Sequence, residues 1–324
     1  MIGVTPAGPP LAPASTHTSA GSFFAMEYTK PALSYAQQAD LLLSRGLEGD
    51  RERIISALRS VQYYRLAGYF HPFQNPETEQ FRPRTSFEDV WTRYVFDRQL
   101  KLTVFDAIER IEVCIRSRLA NVLAMGFEDP FAYANDPAAL PYMNPEARHS
   151  FLEEIKKETA RSEEDFVLHF RRKYGNEHVF LPVWMAVELM TFGSVRRLYK
   201  GMEKGRRKAV AESLGIEDAV LVSWLDTLNA VRNVCAHHDR LWNRTMRMKP
   251  KIPKKDSRWS IPIRIDNGAL FGVLSICRYA LRIIAPTSQW HKRLAELLDK
   301  YPSIPLREMG FPEDWETSPI WRQG

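Results

Sequence analysis

The sequence predicts an all-α protein, and three observations carry that prediction. Helix-opening residues recur along the chain, each ahead of a stretch whose apolar residues repeat every three or four positions. Strand patterning is almost missing: no alternating run is bounded by Asn-Gly or Asp-Gly turns, and only residues 259–265 suit an extended segment. One helical pattern runs from residue 87 to about residue 125, far longer than strands reach.

The elements follow in order. Residues 1–25 hold no Asp, Glu, Lys or Arg and are rich in Pro, Ala, Ser, Thr and Gly. Such a composition cannot bury a core, so residues 1–26 are expected to form a disordered tail. A secretory signal does not fit, because a basic leading segment is missing and prolines interrupt the apolar stretches. Met26 opens the first segment of ordinary composition and is a second candidate start. Ser34 and Asp50 are expected N-caps, each ahead of a helix. Ser86 with Asp89 three residues later forms a capping box at the head of the long helix. Asn144 is a cap followed by Pro145 at the first helical position. Further helices open at Ser162, Pro182 and Glu217. An apolar helix runs from Asn267 to near Pro286, and Ser288 caps the last one, to about Lys300.

The 324 residues, 44% of them hydrophobic and 26% charged, allow one large domain or two smaller ones. No apolar run approaches the roughly 18–20 residues of a membrane span, so no membrane partner is expected. Cys114, Cys235 and Cys277 are scattered and odd in number, which argues against a disulfide framework and for the cytoplasm. The formal charge is +6, and its distribution is uneven. Residues 196–208 and 240–258 together hold fifteen basic and two acidic residues, a net +13. The other 292 residues carry 30 basic against 37 acidic, a net −7. Two basic segments on an acidic body fit an anionic partner such as RNA; they also fit two solvated basic turns.

The densest polar cluster is RNVCAHHDRLWNR, residues 232–244, at the end of the helix that opens near Glu217. On a helical wheel Leu221, Trp224, Leu228, Val231, Cys235 and Trp242 make an inward stripe. Asn229, Asn233, His237, Arg240 and Arg244 fall opposite, with Arg232 and His238 on the two shoulders. This kit suits attack on a phosphodiester without a metal. A histidine passes protons near neutrality, an arginine holds a phosphate by two hydrogen bonds, and an asparagine fixes a tautomer or positions the phosphate. A solvated polar face carrying a surface histidine has the same spacing.

The stretch 232–244 closely resembles the signature of the Abi-like (abortive infection) bacterial family, which belongs to the HEPN superfamily. SALRSVQYYRLAGYFHPF (56–73), YVFDRQLKLTVFDAIERIEVCIRSRLA (94–120), LPVWMAVELMTFGSVRRLY (181–199) and PLREMGFPEDW (305–315) resemble it too, in the same order. The resemblance covers about residues 27–321. It implies a HEPN-type helical bundle with a long central helix, behind the tail, and a metal-independent RNase motif of the form Arg-Asn-x3-His. Arg232 would then bind the scissile phosphate, His237 would act as acid or base, and Asn233 would be the polar residue that follows the arginine. Two such motifs usually meet across a homodimer, and His237 projects away from the inward stripe, toward solvent or another surface. The expected protein is thus an endoribonuclease of a phage-defence or toxin-antitoxin system. Its partners would be RNA substrate, a second copy and an RNA or protein antitoxin. His238, Arg240 and Arg244 would contact RNA or support the site.

Glu112 and Arg116, four apart on the long helix, form either an ion pair or an element that orients Arg232 or His237. Cys235, His237 and His238 lack a second ligand pair at zinc spacing, so no metal is expected. His71, His149, His169, His178 and His291 are isolated. The aromatic helix PVWMAVELMTF (182–192) reads as core rather than as a base-stacking platform. Glycine-rich phosphate loops are missing, so no cofactor is expected. Two other readings stay open: a non-catalytic RNA- or protein-binding module, and a structural dimer that uses the Asn/His/Arg face as its interface.

Overall fold

Side-chain caps decide where six of the thirteen described α-helices begin. The computed structural model describes residues 31–322. Ser34 and Gln37 cap α1 (Tyr35–Ser44) reciprocally, and Asp50 accepts from the Arg53 amide at 2.7 Å to open α2 (Arg51–Ser60). The short α3 (Tyr63–Phe70) follows. The Ser86–Asp89 box opens α4 (Phe87–Phe127), whose 41 residues span roughly 62 Å. After α5 (Ala132–Asn135), Asn144 and Pro145 start α6 (Pro145–Arg161) as expected. Then come α7 (Asp165–Tyr174), α8 (Val183–Leu189), α9 (Phe192–Gly201) and α10 (Lys204–Glu212). The last three are α11 (Asp218–Ala236), α12 (Leu270–Ile284) and α13 (Trp290–Lys300).

α4 is the axis of the fold. It packs against α3, α5 and every helix from α8 to α13. One apolar core, from Ala39 to Trp321, surrounds it. Phe96, Leu100, Val104, Ile108, Ile111, Ile115 and Leu119 form its buried stripe at helical spacing. Behind α12, Phe271, Phe311, Trp315 and Trp321 pack ring against ring. Gly310, at φ 83°, lets that segment pass Ala269, whose Cβ would lie 2.4 Å from an added side chain.

All-α is the observed class. Among the described residues backbone pairing outside helices reduces to two isolated bridges, Glu48–Ser86 and Gln74–Phe81, and no strand forms. No helix among them is long and apolar enough to cross a membrane. The expected tail, residues 1–26, lies outside the described residues.

Four local expectations need correction. The apolar helix expected from Asn267 begins at Leu270, and the Asn267 side chain instead donates to the Pro250 carbonyl at 2.8 Å. Ser162 ends α6 instead of opening α7, whose start shifts to Asp165. Residues 182–192 are two helices, because Thr191 leaves helical geometry to cap α9 through the Ser194 amide, 3.1 Å away. Trp184 on the first of them is 51% exposed, so this stretch is not wholly core. Residues 259–265 are a loop closed by Ile265 donating to the Trp259 carbonyl at 3.1 Å.

Candidate functional site

α11 delivers the Arg232–His237 segment to the surface beside the first half of α4. Trp224, Leu228, Val231 and Cys235 are buried along its inner face, as the periodicity predicts. Burial in apolar surroundings pushes the Cys235 thiol up to about 12, so it stays protonated and inert at neutral pH. Asn233 and His237 are exposed. Arg232 is half-buried: its guanidinium lies 5.6 Å from the Phe105 ring centre on α4, and its Nε is buried without a partner among the described residues. An arginine resting on an aromatic face keeps its fork pre-aimed and has donors left for an anion.

The wheel fails after Ala236. The helix ends there in a Schellman turn: His238 N–H donates to the Cys235 carbonyl at 3.1 Å and Asp239 N–H to Val234 at 2.9 Å. His238 sits at φ 60°, the left-handed region that such turns usually fill with glycine. The chain then leaves the axis, so Arg240 and Arg244 do not share a helical face with Asn233 and His237. Arg240 donates to the Gly68 carbonyl on α3, and Arg244 pairs with Asp239 at 3.8 Å. Trp242 is buried, as the wheel required, but it reaches the core from this turn.

A buried carboxylate holds the turn. Asp97 on α4 is fully buried and accepts from the Trp242 amide at 2.7 Å, the Leu241 amide at 3.1 Å and the Tyr69 hydroxyl at 2.6 Å. Lys101, one turn along α4, pairs with Asp97 at 3.1 Å and donates to the carbonyls of His238 and Asp239 at 3.2 and 3.1 Å. Arg65 on α3 adds a 2.5 Å hydrogen bond to the His238 carbonyl. Burial, with Asp97 beside it, pushes the Tyr69 phenol far up, so it remains a donor. Both charges of the pair are thus satisfied, the condition under which a buried ion pair is tolerated.

Asp97, Lys101, Tyr69 and Arg65 are the residues that sequence reasoning missed. A signal existed: two opposite charges four residues apart sit among Phe96, Leu100 and Val104, on the core side of the helix. Glu112 and Arg116 turn out to be an ion pair, and Arg116 also donates to the Val187 carbonyl of α8. They tie α4 to α8, while Arg232 rests on Phe105, roughly 10 Å before Glu112 along α4. Neither Arg232 nor His237 is their partner, so the orienting alternative is not the observed arrangement.

The site is open. A cleft of about 530 Å³, lined by Ile216, Glu217, Lys254 and Arg258, lies at the opposite end of α11. Among the described residues no three His, Cys, Asp or Glu side chains gather as metal ligands. Asn233, His237 and His238 are exposed, within reach of a ligand as large as a polymer.

A family model described as Abi-like protein matches residues 56–243. The chain belongs to the Abi-like protein family. Neither a curated protein nor a solved structure matches it. The family's description points to abortive infection, a defence against phage. In this Abi-like protein the match begins within α2 and ends at Asn243, so it takes in Arg232, Asn233, His237 and the Asp97-held turn. Residues 305–315, expected from the sequence to share the resemblance, lie outside the match.

The two basic segments of the Abi-like chain differ in their surroundings. In residues 196–208, Arg196 and Lys200 both pair with Asp226 at 2.7 Å. Arg197 pairs with Glu154, Arg207 with Asp218 and Lys208 with Glu212. Acidic residues from elsewhere in the fold thus offset much of this segment's positive charge. In residues 240–258, Lys255 pairs with Glu217 and Arg258 with Asp256. Arg247, Lys249, Lys251 and Lys254 are exposed and make no ion pair among the described residues. That run retains an uncompensated positive surface.

Proposed function

We propose that this Abi-like protein is a metal-independent endoribonuclease of an abortive-infection or toxin system, with HEPN-type chemistry. The observation that carries the reading is the end of α11, where exposed Asn233 and His237 stand one turn apart beside Arg232. His237 takes the proton from a ribose 2′-hydroxyl while O2′ attacks the adjacent phosphorus. The P–O5′ bond breaks, and a proton returns to the leaving O5′ from a histidine acting as acid. The products are a 2′,3′-cyclic phosphate, which can open to a 3′-phosphate, and a free 5′-hydroxyl. Arg232 binds the phosphate and offsets the charge that grows on its oxygens. Asn233 positions the phosphate or the imidazole. One chain supplies one such motif, so a two-fold homodimer would supply base and acid from its two histidines. Single-stranded RNA is the substrate class, because in-line attack needs a backbone that can rotate.

His237→Ala and Arg232→Ala are each expected to abolish cleavage of single-stranded RNA with an unchanged circular dichroism spectrum, whereas EDTA leaves cleavage intact. Wild-type cleavage rates in both variants would overturn the assignment. The exposed cationic run of residues 247–254 supports a second reading, an RNA-binding module without turnover. In that case RNA binds, remains uncut, and is held equally well by His237→Ala. An RNA or protein antitoxin in the cytoplasm belongs to this proposal as the partner that restrains the activity.

A further inference from the structure

α3 turns one face into the core and leaves an unusual residue on the other. Leu66, Tyr69 and Phe70 are buried, and Tyr63 packs on the Phe70 ring. Tyr64 points outward and is 84% exposed, the largest exposure of any big hydrophobic side chain described. A ring left almost wholly in water contributes nothing to the core. Its neighbours explain what it could meet instead. Arg65, the next residue, is exposed and spends one N–H on the His238 carbonyl, which leaves other donors of its guanidinium available. Gly68, one helical turn from Tyr64, offers its bare surface and carbonyl to Arg240, whose Cδ would lie 3.8 Å from an added Cβ. An aromatic face and two arginines therefore line the side of α3 that is bonded to the turn after His237.

We propose that Tyr64 is a stacking platform for one unpaired base of the RNA strand, with Arg65 binding the phosphate next to that base. The proposal rests on the ribonuclease reading above and specifies how its substrate is held. Aromatic rings stack on any base, but a duplexed base already has both faces covered, so the platform selects unpaired nucleotides. Arg65 is bonded to the His238 carbonyl, which ties this part of α3 to the turn that follows His237. Loss of the ring then weakens RNA binding without touching the residues that move protons.

The test uses the full chain carrying His237→Ala, so that bound RNA stays uncut, and a single-stranded oligoribonucleotide containing 2-aminopurine. Stacking quenches the probe, and titration gives the affinity. Adding Tyr64→Ala should weaken binding roughly tenfold and remove the quenching. Tyr64→Phe, which keeps the ring, should regain both. Tyr142→Ala, at an aromatic 59% exposed on another part of the surface, should change neither. Because Tyr64 is so exposed, the thermal melting curve of Tyr64→Ala should match its parent's. Unchanged binding in Tyr64→Ala, or a Phe variant as weak as the Ala variant, overturns the platform. If the otherwise wild-type chain still cleaves RNA in those cases, only the platform fails. If that chain neither binds nor cleaves RNA, the ribonuclease reading fails and the platform with it.

Discussion

Asp97 shows how a residue remote in sequence holds the turn beside the proposed site. It lies about 140 positions before the segment it holds, and it satisfies two backbone amides, a phenol and an ammonium at once. Asp97→Ala would strand the Lys101 charge in the core and leave the Leu241 and Trp242 amides unpaired. Breaking such a pair costs about 3–5 kcal/mol. The expected result is an unfolding free energy lower by about that amount, read as a lower urea midpoint at unchanged m-value, with the proposed RNA cleavage lost in the protein that remains folded. An unchanged midpoint would mean that the turn is held by other contacts. Arg232 acts at the same scale in another way, since its packing on Phe105 fixes the direction in which its guanidinium is offered.

At the scale of elements, the end of α11 decides the geometry of the site. A histidine at a left-handed turn position is strained relative to glycine, yet small polar-tipped residues tolerate that region better than branched ones. His238→Gly should therefore keep or slightly raise stability, while His238→Val should cost about 1–2 kcal/mol. Thermal unfolding of the two variants checks this, and equal melting temperatures would show that the turn can relax. The length of α4 serves the same end. One rigid helix carries Asp97 and Lys101 under the turn, Phe105 under Arg232 and Arg116 under α8. An error in its first turns would move all three, and the Ser86–Asp89 box guards that end.

Across the whole molecule, the net charge matters less than where carboxylates stand. Residues 196–208 and 240–258 look alike in sequence, but Asp226, Glu154 and Asp218 are folded against the first of them. RNA affinity should fall with salt mainly through the second segment. Lys249→Ala and Lys254→Ala should each reduce the log–log salt slope by roughly 0.7, the value for one single-strand phosphate contact. Arg197→Ala should leave the slope unaltered. The reverse outcome would place the strand along α9 and α10.

Local chemistry made much of this legible. Caps such as Ser34, Asp50, Ser86 and Asn144 act within three residues, and the apolar repeat of α4 is written in its own side chains, so the sequence alone determined the helical class and about half of the helix starts. The inward stripe of α11 and the exposure of Asn233 followed from the same periodicity. What only the tertiary structure decided was where α11 stops, what Arg240 and Trp242 do after it, and which basic segment keeps its charge. Those outcomes depend on Asp97, Gly68, Asp226 and Glu154, partners far away in sequence. A turn or an ion pair between distant segments is chosen by the free energy of the packed chain, and no window of neighbouring residues contains it.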